Sequence, residues 1–182
     1  MNALNTIFIL VTAFLAVFWE AAFQGFRHIL GAQLDLLPAL MVYAALSAEL
    51  GTIVTLALAG GLWFDSLSAN PLGVSVPALF FIGVIIYAFR ELILREQTFA
   101  QIALGTAASA AAPIITLVFL LTTGHQPLLG WGTLWQLIVM SAGGALATPV
   151  FFILFGWLHS VLGDVEPAEL SFRPDREIRR GR

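Results

Sequence analysis

The chain has 182 residues, of which 59% are hydrophobic and 10% charged, with a formal net charge of −3. A water-soluble fold carries roughly 45–50% apolar and about 25% charged residues, and a chain as apolar as this one would expose large sticky patches in water. Lipid is therefore its solvent, where a backbone satisfies its own polar groups as helices or as a closed barrel. The apolar runs are long and continuous rather than alternating, against the barrel pattern, and they predict an all-α integral membrane protein. No Cys and no Lys occur, which excludes disulfides, thiolate metal sites, a Walker lysine, Schiff-base chemistry and a Ser–Lys dyad. Eight Arg scattered over loops and tail make no stripe of the kind that nucleic acid requires.

Taken in chain order, the apolar runs predict a bundle over residues 1–162 with about six spans, near 7–26, 34–48, 51–67, 72–90, 98–122 and 133–159. The first run lacks a basic lead-in and a small-residue cleavage site, so it reads as a retained helix rather than a signal peptide. The second is short: thirteen uncharged residues lie between Asp35 and Glu49, where a full span needs about twenty. It is either tilted through a thinned bilayer or re-entrant. Punctuation falls at Gly31, Glu49-Leu50-Gly51, Ser68 to Pro71, Arg90 to Gln97, and Thr123 to Pro127. Pro113 and Pro149 are expected to kink the fifth and sixth helices.

Charge orients the chain without counting its spans. With six spans, only Arg27 lies outside; with five and the opposite start, all Arg are cytoplasmic. Both solutions place the Arg90–Arg95 loop and the C-terminal tail, 163–182, in the cytoplasm. The tail sets five Arg against Asp164, Glu166, Glu169, Asp175 and Glu177, so it reads as a solvated segment rather than a polybasic lipid anchor.

Little in the sequence speaks for chemistry. His28, His125 and His159 stand near span ends in three separate connections, with no HExxH spacing and no Cys, so they read as interfacial residues. No G-x-S-x-G elbow is present. An enzyme is not expected, and neither is a cofactor or a metal.

Two acidic positions stand out. Glu20 lies late in the first run with Gln24 and Arg27 at i+4 and i+7 on one face. Either Glu20 pairs with Arg27 on a docking face for a partner helix, or it reaches the outer interface beside Gln24. Asp65 closes the third run and opens Asp65-Ser66-Leu67-Ser68-Ala69-Asn70-Pro71-Leu72-Gly73. Here Asn70 is expected to cap the fourth helix with Pro71 at its first position, and Asp65 to accept free N–H groups of the turn. A carboxylate aimed at a solute or cation is the other reading. Small residues are frequent within the helices: Gly60-Gly61, then Gly105, Ser109 and Pro113 at intervals of four, then Gly143, Gly144 and Ala147. Such faces let helix backbones approach closely in lipid.

The stretch Gly61-x-x-x-Asp65-x-x-Ser68-x-x-Pro71-Leu72-Gly73 between two apolar helices resembles the signature hairpin of the bacterial rod shape-determining protein MreD family. Asp35-Leu36-Leu37-Pro38 to Tyr43 is similar to the acidic, leucine-rich opening of that family's second helix. The likeness runs over about residues 33–120, and its discriminating part is the Asp–Ser–Pro-Leu-Gly turn.

The resemblance implies a non-enzymatic inner-membrane subunit of the cell-elongation machinery, with six spans and both termini in the cytoplasm. It further implies a bundle similar to the substrate-binding subunits of energy-coupling-factor transporters. Its partners would be an MreC-like bitopic protein, a RodA-like synthase with its penicillin-binding protein, and MreB filaments, with membrane lipids around it and no nucleic acid. Asp65, Ser68, Pro71, Leu72 and Gly73 would then be a partner contact or a structural turn. The alternative is a transporter's solute-binding subunit, with a pocket near the outer face lined by Trp63, Asp65, Asn70, His125 and Trp131.

Overall fold

A computed structural model describes residues 2–22, 31–68, 71–93, 97–124 and 130–163. Among these residues lie six helices: α1 (Asn2–Ala22), α2 (Leu37–Ser47), α3 (Leu50–Leu67), α4 (Ser75–Ala88), α5 (Thr98–Thr122) and α6 (Trp131–Gly163). A single 3₁₀ turn, Arg90–Leu92, follows α4. Helices α1, α3, α5 and α6 are long and apolar enough to cross a membrane. They present large apolar side chains outward, among them Phe14, Phe18, Trp19, Leu146 and Ile153. In water these faces would be a liability; against acyl chains they are the ordinary surface. The protein is a multi-span, all-α membrane protein.

Successive helices run in opposite directions, as a few contacts make plain. Thr6 Oγ1 and Thr52 Oγ1 are 2.7 Å apart, joining the start of α1 to the start of α3. Arg90 donates to the Ala48 carbonyl at 3.4 Å, joining the end of α4 to the end of α2. At the opposite end Gln33 and Gln136 bond each other, and the Asp65 turn closes α3 onto α4. The bundle thus has an Arg90 end and an Asp65 end.

Helix α2 is the axis of the structure. It has 11 residues, which at about 1.5 Å each is only ~16 Å long, so the helix alone does not cross a hydrocarbon core of about 30 Å. Every residue from Leu37 to Leu46 is buried, and α2 touches all five other helices. A helix apolar all round belongs inside protein, and non-helical backbone ahead of it is tolerated because neighbouring helices cover it. Tyr43 stacks on Phe155 at 4.3 Å and meets Phe152 edge-on at 5.1 Å, fastening α2 to α6.

The α5–α6 contact depends on small residues. A Cβ at Gly144 would strike the Ser109 side chain and come within 2.6 Å of the Gly105 carbonyl, and one at Gly105 would strike Thr148. Near these residues the two helices approach backbone to backbone, as small-xxx-small faces allow. Both helices run unbroken through Pro113 and Pro149.

Candidate functional site at the Asp65 end of the bundle

Three acidic side chains converge where α1 ends, α2 begins and α3 turns into α4. Asp65, the best defined, is 2% exposed. Its Oδ2 accepts the N–H of Gly73 at 2.8 Å and that of Ser75 at 3.1 Å, and its Oδ1 accepts the Ser75 hydroxyl at 2.5 Å. A carboxylate taking the free N–H groups at a helix start also meets the positive end of the helix dipole. Gly73 sits at φ +89°, a left-handed backbone that favours glycine. Gly61 keeps the hairpin tight, since a Cβ there would lie 2.8 Å from Val76 Cγ2 and 3.0 Å from Val76 Cα.

The residues of the Asp–Ser–Pro-Leu-Gly stretch thus form one turn. The Ser68 N–H and the Val74 N–H donate to the Asp65 and Pro71 carbonyls, while Leu72 points outward, 70% exposed. The expected position of Pro71 at the start of the fourth helix is corrected here. That helix begins at Ser75, because Pro71 to Val74 form a turn of their own and the cap comes from Asp65, ten residues back. Asn70 lies outside the described residues.

Glu20 faces the bundle: its Oε1 accepts the Leu36 N–H at 2.6 Å, while Oε2 is buried with no partner among the described residues. Gln24 and Arg27 lie outside the described residues, so the face they share with Glu20 is not assembled here. The third acid, Asp35, is buried beside them with Oδ1 accepting the Leu37 N–H at 3.0 Å. Glu20 and Asp35 therefore hold the N–H groups of Leu36 and Leu37 where α2 begins, while Asp65 holds those of Gly73 and Ser75 where α4 begins.

Next to this cluster is a cavity of about 300 Å³. Its polar lining residues are Gln33, Asp35, Ser75, Thr116, Thr133 and Gln136; the apolar ones include Phe64, Leu79, Leu117 and Met140. It lies where α4 begins, at Ser75, beside the longer α5 and α6, whose backbones approach closely at the Gly105–Gly144 crossing farther along the bundle. The segment ahead of α2 closes one wall. Gln136 accepts the Gln33 N–H at 3.0 Å and donates to the Gln33 carbonyl at 2.6 Å, and Leu34 packs onto Gly143.

Of the residues named from sequence for an outer pocket, Trp63, Asp65 and Trp131 do not line this cavity. Trp63 packs edge-on against Phe14 at 5.4 Å, Asp65 is used up in its turn, and Trp131 is 83% exposed. His125 and Asn70 fall outside the described residues. Gln33, Thr116 and Gln136 were missed because isolated polar residues at the rim of apolar runs carry no spacing signal.

No family profile, curated protein or solved structure matched this chain. Among the described residues, no group of three or more His, Asp or Glu is placed to hold a metal ion. What stands is a multi-span membrane protein without an evident catalytic motif.

Proposed function

We propose that the chain is a non-enzymatic subunit of the bacterial cell-elongation machinery, seated in the inner membrane with its Arg90 end and C-terminal tail in the cytoplasm. It binds an MreC-like bitopic protein and, through it, links MreB filaments to a RodA-like synthase and its penicillin-binding protein. The observation that carries this reading is the Asp65 turn. The residues behind the resemblance, from Gly61 through Asp65 and Ser68 to Gly73, make one hydrogen-bonded structure that holds Pro71 and Leu72 out at the surface. Since Asp65 is buried, partner contact falls to Leu72 and its neighbours, with Asp65 as their support.

Purification of the tagged chain from native membranes in mild detergent tests the reading. Recovery of MreC-like and RodA-like proteins, lost in Leu72→Asn but retained by the wild type, supports it. Recovery of ATPase subunits with a coupling membrane protein instead overturns it. That second outcome is the solute-binding reading, which the cavity beside Asp35 favours.

A further inference from the structure

The geometry points to a binding site for a small amphiphile with a primary ammonium head, held in the cavity between α4, α5 and α6 with its head on Asp35 and its apolar body against Phe64, Leu79 and Met140. The site rests on the cavity alone and stands whichever partners the bundle has.

Size is the first argument. About 300 Å³ is at the lower end for small-molecule pockets, enough for a ring and a short chain. Its lining supplies both kinds of group that an amphiphile requires: a carboxylate, amides and hydroxyls together with hydrocarbon and an aromatic ring.

Charge supplies the sign. Asp35 is 8% exposed and lines the cavity. Its Oδ1 is taken by Leu37, while Oδ2 has no donor among the described residues. Asp35 lies within electrostatic range of both Glu20 and Asp65. The only cationic side chain that is not a histidine among the described residues is Arg90. It sits at the far end of the bundle, over the Tyr87 ring and on the Ala48 carbonyl. A buried carboxylate beside two others is stabilised by a cation that also donates hydrogen bonds. An ammonium has three donors, and the Ser75 and Thr116 side chains also line the cavity. A metal ion fits less well, because no set of three ligands is placed around one point among the described residues.

Three probes with one apolar body and different heads test the site: 2-phenylethylamine, 2-phenylethanol and phenylacetate. Each is titrated into the purified full chain in phosphatidylglycerol nanodiscs, with binding read by calorimetry and by thermal stabilisation. The amine is expected to bind saturably and at least tenfold more tightly than the alcohol, with the carboxylate weakest. Asp35→Asn should abolish the preference for the amine. Thr116→Phe, which fills the cavity and leaves Asp35 intact, should abolish binding of all three.

Equal responses to the three heads, or an amine signal that survives both variants, would overturn the site. A second set of discs, containing phosphatidylethanolamine, separates the sources of the ammonium. If that lipid competes with the added amine, the resident ligand is a lipid headgroup; if it does not, a soluble amine is the ligand. Either result supports the site.

Discussion

Asp65 holds Ser75 twice, once by its backbone N–H at 3.1 Å and once by its hydroxyl at 2.5 Å. The pair joins the last turn of α3 to the first of α4 across ten residues of chain. Hydrogen bonds to a charged acceptor are worth about 1.5–3 kcal/mol each, and stranding a buried donor costs about 1–3 kcal/mol. Asp65→Ala is therefore expected to destabilise the folded protein by about 3 kcal/mol or more. Asp65→Asn, which keeps one carbonyl acceptor, should cost roughly half that. Ser75→Ala should cost about 1–2 kcal/mol, since the N–H contact survives. Thermal denaturation of the detergent-solubilised variants gives the order directly; equal loss in all three would show that the turn is held by something else.

At the α5–α6 crossing the expected effects have opposite signs. The Ser109 hydroxyl is buried without a partner among the described residues, so Ser109→Ala removes a desolvated polar group and should stabilise by about 1 kcal/mol. Gly144→Ala instead drives a methyl into Ser109 and toward the Gly105 carbonyl, and overpacking of this kind costs about 1–3 kcal/mol. Melting temperatures should therefore rise for the first variant and fall for the second. A fall in both would place an unseen partner on Ser109.

Several elements were legible in the sequence, and the reason differs for each. The four long helices α1, α3, α5 and α6 announce themselves by apolar length, a one-dimensional property. The Asp65 turn was legible because its partners lie within ten residues and include glycine and proline, whose backbone preferences are local. The direction of Glu20 was not, because the Leu36 N–H that it accepts lies across a connection whose path the sequence leaves open. Nor was the role of α2 settled: thirteen uncharged residues between Asp35 and Glu49 look the same whether they are thin in lipid or wrapped in protein. The cavity was the least legible. It lies where α4 begins beside the longer α5 and α6, and that placement leaves no mark on residues 33, 116 or 136.

The reciprocal bond between Gln136 and the Gln33 backbone gives a local prediction. Gln136→Leu keeps the volume of the side chain and removes both partners of Gln33. Global stability should fall by only about 1–2 kcal/mol, yet the strand of chain ahead of α2 should open far more often. Hydrogen exchange is the measurement: amides of residues 31–36 lose protection while those of α2 itself do not. Uniform loss across the bundle would mean that the glutamine supports the whole fold rather than one wall.

The last prediction concerns the axis helix. Tyr43 and Phe155 stack at 4.3 Å with their planes 13° apart, and Phe155 is 1% exposed. Phe155→Ala leaves a ring-sized void between α2 and α6, which in well-packed interiors costs about 3–5 kcal/mol. Tyr43→Ala should cost a similar amount, because Tyr43 also meets Phe152. In the double variant the two losses should add to less than their sum by about 1 kcal/mol, the part that belongs to the ring pair itself. Full additivity would mean that each ring is held independently by its own helix. In that case α2 would owe its place to the surrounding apolar side chains rather than to α6.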